Sequence, residues 1–187
     1  MTGATDHLPA TEFVFKYPLV NQLLPQLLRI ISLRSGPQDL PGGWSIAALA
    51  VLAYIGLGVF ADSMMELGDT SPRSLVSIGL QIGAIFVLLR FRGYGVRVPQ
   101  TITAAAGTGS IFGLASILLI AQSAGGSLPP GITTLWLGLF IWSLVVDGHI
   151  YRSALSTTMS IGMMIAVVMF ALNFIVIDAL FPAAQSG

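Results

Sequence analysis

VPQTITAAAGTGSIFGLASILLIAQSAGGSLPPGITTLWLGLFIWSLVV, residues Val98 to Val146, contains no Asp, Glu, Lys or Arg. A helix needs about 20 mostly apolar residues to cross the hydrocarbon core of a bilayer, so this run is too long for one crossing. It is divided by QSAGGSLPPG (Gln122 to Gly131), a cluster of turn-forming residues. Two spans result, at about 101–121 and 132–150. Working outward, Leu40–Ala61, Ser74–Leu89 and Ser153–Ile177 are also free of charge. They place further spans at about 44–62, 73–91 and 155–178. Composition agrees: 55% of the chain is hydrophobic and 9% charged, against roughly a quarter charged in a soluble domain. The expected fold is an all-α integral membrane protein, five transmembrane helices in a bundle.

The chain divides into a cytoplasmic arm (1–43), the five-helix domain (44–180) and a short tail (181–187), with neither end long enough to bury a second core. MTGATDHLPATEF has no basic segment leading into an apolar one, so the first span is expected to act as an uncleaved insertion signal. Zero cysteines exclude disulfides and thiolate metal sites.

Arginine placement sets the orientation. Five spans put Lys16, Arg29, Arg34, Arg90, Arg92, Arg97 and Arg152 on one side, and only Arg73 on the other, beside Asp62, Glu66 and Asp69. By the positive-inside rule the N-terminus is expected in the cytoplasm and the C-terminus outside it. Arg90, Arg92, Arg97 and Arg152 are the topology anchors.

Ahead of the first span, Val20, Leu23, Leu24, Leu27, Leu28 and Ile31 recur at helical spacing, with Asn21, Gln22, Gln26 and Arg29 opposite. This predicts an amphipathic helix lying in the headgroup region, kinked or restarted at Pro25. A helix packed on the cytoplasmic loops, or on a partner, is the competing reading.

Polar groups inside spans are costly and often functional. Gln81 lies in span two, Asn173 in span five, and Asp147 with His149 near the inner end of span four. Asp147 and His149, two apart, do not share a helix face, which argues against a metal site. An interfacial cap pairing Asp147 with Arg152 outweighs a proton relay, and Gln81 and Asn173 are expected to hydrogen-bond between helices. Asp62, Glu66 and Asp69 share one face and read as a solvated acidic end rather than a calcium site, which recruits six or more oxygens.

Small residues at four-residue spacing let helix backbones approach closely. Gly79 and Gly83 in span two, with Ala105, Gly109 and Gly113 in span three, predict that these spans form the tight centre. No HExxH, GxSxG or Walker A pattern is present, and GTGSIFG lacks the terminal Lys-Ser/Thr of a phosphate loop. Three arginines within eight residues, beside lipid, do not make a nucleic-acid surface. No cofactor is implied.

RSGPQDLP before span one, RVPQTITAAAGTGSIFGLASILL in span three and LWLGLFIWSLVVDGHIYRSAL leading into span five resemble short proteobacterial inner-membrane proteins similar to the Yip1 domain family. The resemblance runs from about Gln26 onward. It implies a five-helix bundle with a cytoplasmic N-terminus. Eukaryotic relatives contact prenylated small GTPases and shape membranes in vesicle traffic, using a long soluble N-terminal region that has no counterpart in residues 1–43. No catalytic residues are implied.

These features favour a non-enzymatic scaffold or accessory subunit whose partners are the lipid bilayer and another membrane protein or further copies of itself, with no nucleic acid. The alternative is a small transporter or channel component. Its polar seam would lie in spans two, three and five: Gln81, Thr101, Thr103, Thr108, Ser110 and Asn173.

Overall fold

A computed structural model of the protein describes residues 18–64, 71–122 and 129–182. His7, Lys16, Glu66, Asp69 and most of the QSAGGSLPPG turn lie outside the described residues. Six α-helices follow one another: α1 (Pro18–Ile31), α2 (Trp44–Met64), α3 (Ser71–Phe91), α4 (Val98–Ile120), α5 (Pro130–Ala154) and α6 (Met159–Leu180). The last five are each long and apolar enough to cross a membrane. Together they form the expected bundle, and its arginine end carries Arg90, Arg92, Arg97 and Arg152.

Helix ends follow local chemistry. α3 stops where Gly93 takes a left-handed conformation (φ 77), and Tyr94 N–H reaches back to Leu89 C=O at 2.8 Å, the Schellman closure. Pro99 stands in the first turn of α4, where a missing N–H costs nothing. The last span begins at Met159 rather than 155 because α5 runs on to Ala154. A left-handed Ser156 (φ 52) then closes α5, with Thr157 N–H bonded to Arg152 C=O.

Arg97 does more than anchor topology. Its guanidinium donates to Ala154 C=O at 3.0 Å and to Ser156 Oγ at 2.8 Å, so a cation satisfies the carbonyl end of α5 where the helix dipole favours it. At the opposite end Arg73 donates to Phe181 C=O at 3.2 Å, just past α6.

The tight pairs are α2 with α4 and α5 with α6, which corrects the expectation that spans two and three form the centre. Gly109 and Gly113 do serve close contact, but against span one. A Cβ at Gly109 would lie 3.0 Å from the Tyr54 ring, and one at Gly113 would lie 3.1 Å from Leu57. Ala105 is buried in a cluster with Ala47, Leu89, Val98 and Tyr151. Gly79 and Gly83, by contrast, face open space, with nothing within 4 Å of an added Cβ. They pack against no helix among the described residues.

The closest backbone approach is at Gly148 and Gly162. A Cβ on Gly162 would overlap the Gly148 carbonyl oxygen and sit 2.9 Å from Arg152 N. The spacing Gly162-xxx-Ala166, both buried, signals this contact in sequence.

The amphipathic α1 packs on the bundle with one side. Ile30 is fully buried with Ala104, Val146 and Ile150, and Leu27 fills the space above Gly107. Gly107 stands nine residues into α4, about 14 Å along its axis. α1 is therefore a sixth member of the bundle, with Leu24 and Leu28 left exposed.

Candidate intramembrane site

α3 and α5 are held apart, each packed on α6 rather than on the other. The space between them is a cavity of about 260 Å³. α2 supplies Tyr54, α3 supplies Ser77 and Gln81, α5 supplies Ser143, Asp147 and Tyr151, and α6 supplies Asn173. Phe140, Phe170, Leu80, Leu144 and Met169 complete the wall. Seven polar side chains from four helices thus converge inside the spanning region of a protein that is 9% charged.

Asp147 is the one carboxylate among them. It lies seven residues from the end of α5, about 10 Å in from the arginine end. It forms no ion pair and no hydrogen bond among the described residues. The expected Asp147–Arg152 cap is not made, because Arg152 sits on the exposed side of α5 beside Gly162. Beneath Asp147, Tyr151 is 3% exposed and belongs to the packed cluster of Ile85, Leu89, Val98 and Leu155. The chamber is closed towards the arginine end.

Towards the opposite end it continues. A second space of about 310 Å³ shares Tyr54, Ser77, Phe170 and Asn173 with the first and extends to Arg73 and Ser74 in the opening turn of α3. There Ser74 Oγ donates to the Asp62 carboxylate. The shared residues form a neck. Asn173 Nδ2 donates to Ser77 Oγ at 2.9 Å and to Ser77 C=O at 3.2 Å, and Ser77 Oγ lies 3.1 Å from Asn173 Oδ1. The expectation that Asn173 bonds between helices therefore holds, where the two spaces meet, whereas Gln81, expected to do the same, forms no side-chain hydrogen bond among the described residues. Asn173→Leu is expected to cost about 1 kcal/mol of stability in detergent, the scale of interhelical hydrogen bonds. A loss above about 3 kcal/mol on thermal unfolding would show that the neck carries structure beyond these bonds.

No family model, curated protein or solved structure matches the chain. Chemistry at the site comes from its own residues.

Three of the four polar residues singled out from sequence, Gln81, Asp147 and Asn173, line this one cavity. His149 does not. It is 5% exposed, and its Nε2 lies 2.9 Å from Ser35 C=O, tying the segment after α1 to α5. The Thr and Ser residues of span three are also elsewhere. Thr101, Thr103, Thr108 and Ser110 each donate at 2.8 Å to the carbonyl four residues back, Arg97 for Thr101 and a residue of α4 for the others. The polar seam thus runs through spans one, two, four and five, and not through three.

Tyr54, Ser77, Ser143 and Tyr151 are site residues that the sequence reading passed over. Their one signal was helical register: Asp147 and Tyr151, and Ser77 and Gln81, are four apart on a single face. Among the described residues no group of three or more His, Cys, Asp or Glu could hold a metal ion.

Proposed function

We propose that this multi-pass membrane protein is a small transporter, or the solute-binding part of one, that carries a monovalent cation, the proton included, on Asp147. The observation behind the proposal is the unpaired carboxylate at the blind end of a polar chamber within the spanning helices. An ionisable group inside a membrane helix costs several kcal/mol unless it is paired or hydrated, and structural economy gives no reason to keep one unpaired. A cation or proton entering through the Ser77–Asn173 neck supplies the missing partner.

On this reading the closed end faces the cytoplasm, which the arginine bias supports, and the membrane is a bacterial inner one, which the family resemblance supports. The chamber then opens outward. Proteoliposomes holding a pH-sensitive dye, under an imposed potassium diffusion potential, test the reading. Wild-type protein should acidify the interior, and Asp147→Asn should reduce the flux to that of empty vesicles. Equal flux in empty, wild-type and Asp147→Asn vesicles would remove the transport reading.

A second reading, an accessory subunit or homo-oligomer, is favoured by Gly79 and Gly83 on α3. Their small-residue face has no partner among the described residues, and a neighbouring helix would fill it. Copurification of one stoichiometric membrane partner would favour this role.

A further inference from the structure

Resting on the reading of Asp147 as a cation site, we infer that the chamber's solute is an organic monovalent cation, a protonated or quaternary amine, held between a carboxylate and an aromatic wall. The wall itself argues for this class. Tyr54 comes from α2, Phe140 and Tyr151 from α5, and Phe170 from α6, so aromatic side chains of three helices line the same space as one carboxylate. Phe140 and Phe170 meet edge to face, with centroids 5.1 Å apart and planes at 62°, which fixes both rings. A cation over an aromatic face is attracted by the ring quadrupole, most strongly where water is displaced, and quaternary ammonium groups are recognised this way.

Competing ions fit less well. Divalent calcium and magnesium demand several oxygen ligands, usually more than one carboxylate, and Asp147 is alone. A bare sodium or potassium ion needs a tight shell of oxygens, as the carbonyl rings of selectivity filters provide. Here about 260 Å³ of space is walled by rings and aliphatic side chains with polar groups set among them. One carboxylate balances one positive charge, and Gln81 with Ser143 offers hydrogen-bond acceptors to an N–H when the ligand carries one.

A proton and the ammonium ion compete for the same carboxylate. Tyr54 on α2 and Tyr151 on α5 are the other titratable groups facing it. α3 and α6 present only neutral Ser77, Gln81 and Asn173, and Arg73 stands at the far end of the outer space. Lowering the pH should therefore weaken ammonium binding.

The test is isothermal titration of the full-length protein in detergent with tetraethylammonium chloride, and with sodium chloride as the comparison. Wild type is expected to bind tetraethylammonium saturably, and more weakly as the pH falls. Asp147→Asn should lose at least about tenfold in affinity, a step of about 1.4 kcal/mol. Phe140→Leu should weaken tetraethylammonium about threefold to tenfold, on the scale of one cation–π contact. Tetraethylammonium binding unchanged by Asp147→Asn would overturn the inference. So would its absence alongside Asp147-dependent proton flux, an outcome that leaves the proposed transport reading standing. Loss of both binding and flux in wild type removes the two together.

Discussion

Gly162→Leu is expected to prevent α5 and α6 from packing, with loss of the cooperative thermal transition or a fall in stability of more than about 3 kcal/mol. Overpacking a core usually costs about 1–3 kcal/mol, because neighbouring side chains shift to make room. At Gly162 the obstacles are the Gly148 carbonyl oxygen and the Arg152 backbone N, together with Arg152 Cβ. None of these is the free end of a flexible side chain. Relief requires separating two helices along their length, and with them the α5–α6 side of the chamber. Gly148→Leu meets Met163 Cα at 3.1 Å as well as its flexible sulfur, so its effect should be large but smaller. Gly79→Leu is the control: nothing lies within 4 Å of its added Cβ, and it should fold like wild type. Circular dichroism melts in detergent, with gel filtration for aggregation, separate these outcomes. An unchanged melting temperature for Gly162→Leu would contradict the contact.

Much of this architecture was legible because the bilayer imposes simple arithmetic. Charge-free runs of membrane-spanning length fixed five helices, and each observed helix begins and ends within four residues of the reading from charge and turn signals. Which helices touch was less legible. A small residue at every fourth position says that a face admits close approach, not which helix approaches it. Gly109 and Gly113 met span one, while Gly79 and Gly83 met nothing. α1 shows the same limit. Its apolar stripe is equally suited to lipid and to protein, and its length carries both: Leu27 packs over Gly107 while Leu24 and Leu28 stay exposed.

The site followed a different logic. Gln81, Asp147 and Asn173 stood out because polar groups are rare in spans, but that rarity does not say that they share one cavity, which only the packing of the helices shows. Tyr54 and Tyr151 carry no such signal, since an amphipathic ring is at home in a membrane protein. Asp147 was assigned to Arg152 because the two lie five apart in sequence, near enough for a cap. Five residues turn a helix by about 500°, well past the i+4 position that would face Asp147. With Arg152 directed elsewhere, the carboxylate is left to the cavity.

Asp147→Leu tests that conclusion through stability alone, and the sign of the effect decides it. Were Asp147 a structural cap, its removal would cost stability by breaking an ion pair and leaving Arg152 uncompensated. The cavity geometry gives the opposite expectation. An aspartate deep in a membrane helix costs up to about 3 kcal/mol on insertion scales, and leucine is favourable there. Leucine has a similar size, removes a group without protein partners, and adds apolar contact to Leu80, Leu144 and Met169 across the chamber. Asp147→Leu should therefore unfold at a higher temperature than wild type, by an amount equivalent to about 1–3 kcal/mol. It should also lose cation binding and proton flux. Stability gained while function is lost is the mark of a residue kept for what it binds. A variant destabilised by more than about 1 kcal/mol would instead return Asp147 to a structural role, and the chamber would lose its central group.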